Sequence, residues 1–244
     1  MALANPLPID DFQDLFKVQD VQFVQGWQQQ RSATGGGETR YADRAPSLWK
    51  AEITTIPLLN TDAEGIMALI NSRAGGLKTV LLYNNRLPYP ASDPTGAILA
   101  GEASPYLQTY LPWSDDLVWG DDMPWGGSGE FVPELGTITD RLHVAFTGLP
   151  PGYVLPFGTY FSIKFDASRY YLGQLAEART ADGAGAVATV EIWPPLPASV
   201  VGTPEVEFVK PPGKFRIEPG TAFPSKVSGM HSTIKFSAEQ TYSA

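Results

Sequence analysis

The sequence contains no cysteine and only two histidines among its 244 residues. The absence of cysteine excludes disulfides, thiolate metal sites and a cysteine nucleophile, although it does not indicate a compartment. No apolar run approaches the length of about eighteen residues that a membrane-spanning helix requires, so we expect no membrane span. Residues 1–20 lack both a basic start and an apolar stretch, and this pattern predicts that no signal peptide is present.

Positive charge is also scarce. Lys and Arg together number 17 against 26 Asp and Glu, which gives a formal net charge of -9. Because an acidic surface repels phosphate backbones and anionic headgroups, we expect neither specific nucleic-acid binding nor a membrane partner. The 24 glycines and 22 prolines favour short strands joined by many turns over long helices.

The first eighty residues predict a β-β-α-β order. Alternating apolar and polar residues predict strands over 21–31 and 49–58, with Pro57 ending the second strand or marking an edge. Residues 32–38 are rich in glycine and predict a flexible loop or the tip of a hairpin. A continuous apolar run over 77–83 is typical of a buried strand.

The helix between these strands has its own signals. Thr61 and Glu64 have the spacing of a capping box, and Ala63, Ile66, Met67 and Ile70 form one apolar stripe. We expect Arg73 in the last turn, where a cation suits the helix dipole, and we expect Gly75-Gly76 to end the helix.

The second half of the chain has a rhythm of short strands separated by Gly and Pro turns, which favours a small barrel or sandwich. The chain then closes with a long polar strand over 233–242, in which Ile234, Phe236 and Ala238 share one face. Such a strand needs a partner edge, either the first strand or a neighbouring subunit. The other predicted strands are 141–146, 159–165, 169–177, 186–193, 206–210 and 214–218.

Candidate catalytic residues are few. His143 lies in a strand whose neighbours Leu142, Val144 and Phe146 face inward, so we expect a solvated histidine, and we interpret His231, in a predicted loop, in the same way. The sequence has no zinc-type histidine pair, nucleophile elbow or phosphate loop. We therefore expect no catalytic residue, no cofactor and no metal site, and we expect that the protein is not an enzyme.

One cluster stands out within the stretch from Pro112 to Trp125, where two acidic pairs alternate with three tryptophans. Packing of this loop or contact with another subunit is the leading interpretation. Stacking on sugar rings and a calcium loop remain alternatives, although the spacing of an EF-hand is missing. The residues of this candidate interaction loop are Trp113, Asp115, Asp116, Trp119, Asp121, Asp122 and Trp125.

A family resemblance follows from these residues. The opening resembles the ring-forming belt domain of tailed-bacteriophage distal tail proteins, on the basis of Trp27 in the first strand, Gly35-Gly36-Gly37, Trp49-Lys50-Ala51-Glu52 and the helix 62–73. Short motifs of the second half are similar to those of tail proteins of phages and prophages of proteobacteria. These motifs are Gly148-Leu149-Pro150, Gly158-Thr159-Tyr160-Phe161-Ser162, Arg169-Tyr170-Tyr171, Ala181-Asp182-Gly183-Ala184-Gly185, Ala188-Thr189-Val190-Glu191-Ile192, Pro194-Pro195-Leu196, Gly202-Thr203-Pro204 and Lys214-Phe215-Arg216-Ile217.

The resemblance implies a mainly β fold with one short helix (α+β). It implies a belt-type β-sandwich or split-barrel ring domain and a second small β-barrel or sandwich domain. Residues 1–95 would form the belt domain, completed by the C-terminal strand within 221–244. Residues 96–220 would form an inserted β-rich domain that includes the Trp- and Asp-rich loop 104–134.

The implied function is structural. The protein would be a baseplate or tail-tip protein of the virion, assembled in the host cytoplasm. It would form a ring, typically a hexamer, that joins the tail tube protein to the hub and fibre proteins. The alternative is a carbohydrate-binding host-recognition module in which Trp113, Trp119 and Trp125 stack on a host glycan. A hydrolase with unidentified residues is a third hypothesis.

Overall fold

The computed structural model describes residues 4–16, 18–33, 35–74, 76–100 and 131–243. These residues are mainly β, with one helix among them, and this confirms the predicted mainly β class. No helix in the described part of the chain is long and apolar enough to span a membrane. In chain order the elements are β1 (Val18–Gly26), β2 (Gln29–Ala33), β3 (Thr39–Asp43), β4 (Leu48–Thr55), β5 (Leu58–Leu59), α1 (Asn60–Ser72), β6 (Thr79–Leu82), β7 (Glu134–Ile138), β8 (His143–Thr147), β9 (Val154–Leu155), β10 (Tyr160–Lys164), β11 (Tyr170–Leu175), β12 (Arg179–Thr180), β13 (Val187–Trp193), β14 (Val206–Glu207), β15 (Gly213–Ile217), β16 (Phe223–Lys226) and β17 (His231–Gln240).

The chain divides into two compact units. Unit 1 contains Met1–Pro88, Lys164–Leu172 and Lys210–Ala244, and unit 2 contains Tyr89–Ile163 and Gly173–Val209. The units meet at Pro88/Tyr89 and Val209/Lys210. The predicted domain boundaries, 95/96 and 220/221, lie a few residues further along the chain in both cases. Lys164–Leu172, which comprises the end of β10, the turn and the first half of β11, belongs to unit 1, a feature that no sequence pattern indicated.

The sheet of unit 1 has the order β1-β4-β17-β15-β6, and all of its pairs are antiparallel. Alternation gives it one buried face, because residues such as Val21, Ile53 and Phe236 point inward while their neighbours in sequence point outward. Helix α1 contributes Ala63, Ile66 and Ile70 to the buried core. The stripe predicted from the sequence therefore faces the core, apart from the half-buried Met67.

The ends of the helix differ from the prediction. The helix begins at Asn60, its N-cap residue Leu59 makes no side-chain cap hydrogen bond, and the capping box proposed for Thr61 and Glu64 is therefore wrong. Arg73 follows the last turn as the C-cap residue and is fully buried, with its guanidinium donating to the carbonyl of Ala4 at 3.0 Å. The left-handed turn begins at Ala74, whose φ is 54°, and Gly76 follows with a φ of 93°.

The C-terminal strand β17 lies in the middle of the sheet of unit 1. One of its edges pairs with β4 and β5, and the other pairs with β15 and β16. Its inward residues Ile234, Phe236 and Ala238 are buried, as their alternation predicted. Both predicted partners, the first strand and a neighbouring subunit, are therefore wrong, because β17 pairs along both edges with other strands of its own chain and β1 pairs with β4 instead.

Two aromatic residues from the first strands have different environments. Trp49 is buried, and its indole N–H donates to the carbonyl of Leu172 at 2.9 Å within unit 1. Trp27 was predicted to lie in the first strand, but β1 ends at Gly26 and Trp27 is 56% exposed. The inward alternation of β1 therefore stops at Phe23, because Gln25 is only half-buried and the strand then leaves the core.

Unit 2 is built on the six-stranded order β14-β10-β11-β13-β8-β7, with β9 and β12 forming a small separate pair. Its core includes Phe146, Phe161 and Phe208, whose rings lie 5.2 to 6.1 Å apart. A tight turn at Gly185 closes this core, since a Cβ there would lie 2.0 Å from the carbonyl oxygen of Leu149. Each strand predicted between residues 141 and 218 is present, although the strand predicted over 206–210 shortens to Val206–Glu207.

Candidate interaction surface

The described residues offer little that resembles a reaction centre. They contain no group of three or more His, Asp or Glu side chains that could hold a metal ion. Two of the cavities that they line have volumes of about 140 and 180 Å³, the first beside Gln13 and Tyr83 and the second beside Ile70 and Ile217. Each is smaller than the roughly 300–1,000 Å³ that is typical of a small-molecule site.

His143 lies on the exposed side of β8, opposite the buried Val144 and Phe146, as its position in the strand predicted. Its Nδ1 lies 2.9 Å from a carboxylate oxygen of Asp140. The backbone N–H of Leu142, followed by the imidazole of His143, holds the pKa of Asp140 below its ordinary value. This geometry is that of a surface turn in which one carboxylate caps the start of a strand.

His231 was predicted to lie in a loop, but it is the first residue of β17. The strand starts earlier than its apolar pattern indicates because His231 pairs with Leu59 across the sheet. Its Nδ1 lies 3.1 Å from the hydroxyl of Ser228.

The candidate loop Trp113, Asp115, Asp116, Trp119, Asp121, Asp122 and Trp125 lies outside the described residues. The structure does describe the two points between which residues 101–130 run. The N–H of Phe131 donates to the carbonyl of Leu99 at 3.1 Å, and the buried carboxylate of Asp93 accepts the N–H groups of Ile98 and Leu99. The residues that flank 101–130 are therefore hydrogen-bonded to each other in unit 2, and we call Leu99 and Phe131 the stem.

Unit 1 also carries an exposed two-stranded arm, which we define as β2, β3 and the residues between them (29–43). The two strands pair only with each other among the described residues, in the register Gln29↔Asp43 to Ala33↔Thr39. Nine of their ten residues are exposed, and Thr39 is half-exposed. The sequence predicted the hairpin tip near Gly35-Gly36-Gly37 but not a separate pair of strands below it.

The arm continues the edge of the main sheet of unit 1. The carbonyl of Gln28 accepts the N–H of Arg44 at 2.8 Å, so the pairing of β1 with β4 leads directly into that of β2 with β3. Each arm strand has five residues, which corresponds to a length of about 17 Å. An isolated two-stranded hairpin is marginally stable in water, and the arm exposes both of its faces.

The opposite edge of the same sheet is covered by the chain itself. Leu7 forms backbone hydrogen bonds with Thr79 and Leu81 of β6, at 3.0 and 2.9 Å. The side chain of Gln13 then bonds both the N–H and the carbonyl of Tyr83. Covering one edge in this way prevents unwanted strand pairing there, whereas the β1 edge extends into the arm.

No protein-family model matches the chain, and no curated protein matches it. What the protein does is therefore inferred from its own surfaces: an exposed arm, a covered sheet edge and a stem that carries an acidic, tryptophan-rich segment.

Proposed function

We propose that the protein is a structural subunit of a phage tail tip, which assembles with copies of itself into a ring. The arm carries this proposal, because a hairpin exposed on both faces and both edges is suited to contact a neighbouring subunit. A contact in which the arm of one copy meets a different surface of the next copy is heterologous, and such contacts generate rings when the rotation closes. The family resemblance gives six as the expected number of subunits.

The belt-type architecture is part of the same proposal. The exposed arm and the sheet of unit 1 would form the ring, and unit 2 would be the inserted β-rich domain. In this arrangement the ring joins the tail tube protein on one side to the hub and fibre proteins on the other. The protein would act by binding and positioning these partners and would not be an enzyme.

We further propose that part of the acidic surplus lines the central channel. The net charge of -9 would keep DNA from adhering to a channel through which it must slide. A reconstruction whose channel is lined mainly by Lys and Arg would contradict this part of the proposal.

The experiment that tests the ring is native mass spectrometry of the full chain and of a short-arm variant over a range of concentrations. In the variant, Asn-Gly replaces residues 30–42, which leaves Gln29 and Asp43 facing each other across a two-residue hairpin turn. The substitution Gly36→Ser serves as the control, since nothing lies within 4 Å of the position where its Cβ would be.

We expect the wild type and the Gly36→Ser control to form hexamers, or trimers that pair. We expect the short-arm variant to remain monomeric and to keep the circular dichroism spectrum of the folded wild type, because the arm contributes no buried core. A short-arm variant that assembles as the wild type does, or a wild type that is monomeric at all concentrations, would contradict the proposal.

A further inference from the structure

The two units differ in the sign of their charge. The described residues of unit 2 hold eight Asp or Glu against two Arg, whereas those of unit 1 hold twelve acidic residues against fourteen Lys or Arg. Both arginines of unit 2 are engaged within it: Arg179 pairs with Glu177 at 2.8 Å, and Arg141 donates to a backbone carbonyl at 2.7 Å. A cationic part of unit 1 in one copy of the chain would therefore be attracted to unit 2 of another copy.

The arm of unit 1 presents two arginines on one of its faces. The register pairs Ser32 with Arg40 and Gln30 with Ala42, so these four side chains share a face. Arg44 follows two residues after Ala42, and its N–H extends the same ladder. All five positions are exposed, and neither arginine makes an ion pair with a described residue. We call this surface, formed by Gln30, Ser32, Arg40, Ala42 and Arg44, the arginine face.

The opposite face of the arm is balanced in charge. Arg31 lies there across from Tyr41, and Asp43 lies at the base, where Gln29 donates to its carboxylate at 2.8 Å. The other acidic residue of the arm, Glu38, is in the turn between β2 and β3. The arm therefore has one cationic face and one balanced face, and each can be altered without the other.

Two acidic residues of unit 2 face each other where the ends of its six-stranded order meet. An antiparallel bridge joins Glu134, in β7, to Glu205, just before β14, and β7 and β14 are the two end strands of that order. Backbone hydrogen bonds of 2.9 and 2.7 Å between the same two segments fix the bridge. We call Glu134 and Glu205 the glutamate seam.

The glutamate seam has no counter-charge in its own chain among the described residues. Both glutamates are exposed, and neither pairs with a described Lys, Arg or His. By contrast, the carboxylates of Asp140, Glu177 and Asp182 each bind a cation or accept backbone N–H groups within unit 2. Because like charges directly opposite each other on neighbouring strands are destabilising, a cation placed between the two glutamates would stabilise the seam.

We propose that the arginine face of one copy of this chain docks on the glutamate seam of the next copy. The inference rests on the self-assembly proposed above and names the surface that receives the arm. The planar guanidinium of Arg40 can donate to both carboxylates, whose side chains start about 5 Å apart. Arg44 lies roughly 14 Å further along the strand and adds positive charge at the base of the arm. The contact joins two different surfaces, as a closed ring requires.

A phosphate-bearing surface is a weaker fit to the arginine face. Recognition of anionic lipids typically uses about four to eight Lys or Arg residues, and the arginine face offers two in a chain of net charge -9. A pair of carboxylates needs fewer cations, because one guanidinium can bind them through several charge-assisted hydrogen bonds.

The test measures this one contact between two chains that cannot close a ring through it. The receptor is the short-arm variant, which keeps the glutamate seam and lacks the arm. The donor is the full-length chain with Glu134→Gln and Glu205→Gln, which keeps the arm and lacks the acidic seam. Microscale thermophoresis measures the affinity of the labelled donor for the receptor, and native mass spectrometry measures the stoichiometry.

Matched changes separate this contact from the general attraction of opposite charges. In the donor, Arg40→Glu reverses a charge on the arginine face, and Arg31→Glu makes the same change on the opposite face of the same hairpin. In the receptor, Glu205→Lys alters the seam, and Glu191→Lys makes the same change at another exposed glutamate of unit 2.

We expect one donor to bind one receptor. Arg40→Glu and Glu205→Lys should each weaken the affinity by about tenfold or more, because each brings like charges into contact. Arg31→Glu and Glu191→Lys should change it by less than about threefold, since exposed charges more than about 10 Å away are screened at ordinary salt. The Arg40→Glu donor should bind the Glu205→Lys receptor more tightly than it binds the unaltered receptor.

Three results would overturn the inference: no binding, equal losses for the matched changes, or no recovery between the two reversed partners. Binding of the donor to phosphatidylserine vesicles that depends on Arg40, without binding to the receptor, would also overturn it. The two proposals can fail separately. A ring that forms normally with Arg40→Glu in every copy would reject the docking surface alone. A wild type that associates only into open chains, while donor and receptor bind as expected, would reject the closed ring alone.

Discussion

The arm and the C-terminal strand β17 are both rich in polar residues, yet unit 1 uses them in opposite ways. Strand β17 is paired on both edges and buries one face, whereas the arm pairs only within itself and exposes both faces. The difference lies in a few positions. Ile234, Phe236 and Ala238 recur at every second position of β17, and the arm has no comparable apolar row.

The two regions differ in how much they contribute to the stability of the folded subunit. Residues of β17 hold the sheet of unit 1 together, because they contact the core and both neighbouring strands. Residues of the arm contribute little to the folded subunit, and we propose that they act between subunits. Substitutions at matched positions in the two regions should therefore have different consequences.

The largest difference is expected between Phe236→Ala and Tyr41→Ala. Phe236 is 4% exposed and contacts the ring of Phe12 edge to face, so its truncation should lower the free energy of unfolding by about 3–5 kcal/mol. Tyr41 is 62% exposed, and its truncation should change that free energy by less than about 0.5 kcal/mol. Urea denaturation of the two variants measures both values, and a comparable loss in both would refute the separation.

A second pair compares glycines at a buried turn and at the tip of the arm. Gly185→Ala should destabilise unit 2 by at least about 2 kcal/mol, because φ is +76° and the new Cβ would lie 2.0 Å from the carbonyl oxygen of Leu149. Gly36→Ala should leave the melting temperature unchanged, since nothing lies within 4 Å of its Cβ position. Thermal melts followed by circular dichroism distinguish these outcomes, and equal melting temperatures would show that the turn at Gly185 can relax.

The smallest effect concerns the ion pair at the base of β1, where the guanidinium of Arg86 contacts Asp20 at 2.6 Å. The hydrogen bonds from Arg86 lower the pKa of Asp20, so the pair stabilises the fold above the unfolded pKa of roughly 3.9. This contribution is lost as the pH falls through the lowered folded pKa. Because both side chains are largely exposed to solvent, which screens their attraction, this contribution should be small.

The variant Asp20→Asn tests this pair through the pH dependence of the unfolding midpoint. Its midpoint should lie slightly below that of the wild type at pH 7, and the two should converge once the pH has fallen below the lowered folded pKa of Asp20, where both chains are neutral at this position. A difference that persists at low pH would mean that the carboxylate charge is not the cause.

Local patterns in the sequence predicted much of the fold, and long-range contacts account for what they missed. The apolar stripe of the helix and the alternation in β17 were visible because each depends on neighbouring residues. The burial of Arg73 and the hydrogen bond from Trp49 to Leu172 depend on segments up to 123 residues away in the chain, so no local pattern reports them.

The candidate surfaces were predictable to a smaller extent. Glycines 35–37 indicated the tip of the arm, but its exposure on both faces follows from how β1 and β4 leave the core. Leu59 lies beside His231, more than 160 positions later in the chain, and only the pairing of β5 with β17 brings these two residues together.

The most direct test of the ring is a cryo-EM reconstruction of the assembled wild-type protein. The account predicts a closed ring with sixfold symmetry in which residues 29–43 of each subunit contact the next subunit. Particles that are single subunits or twofold dimers, or a ring whose arms project into solvent, would contradict it.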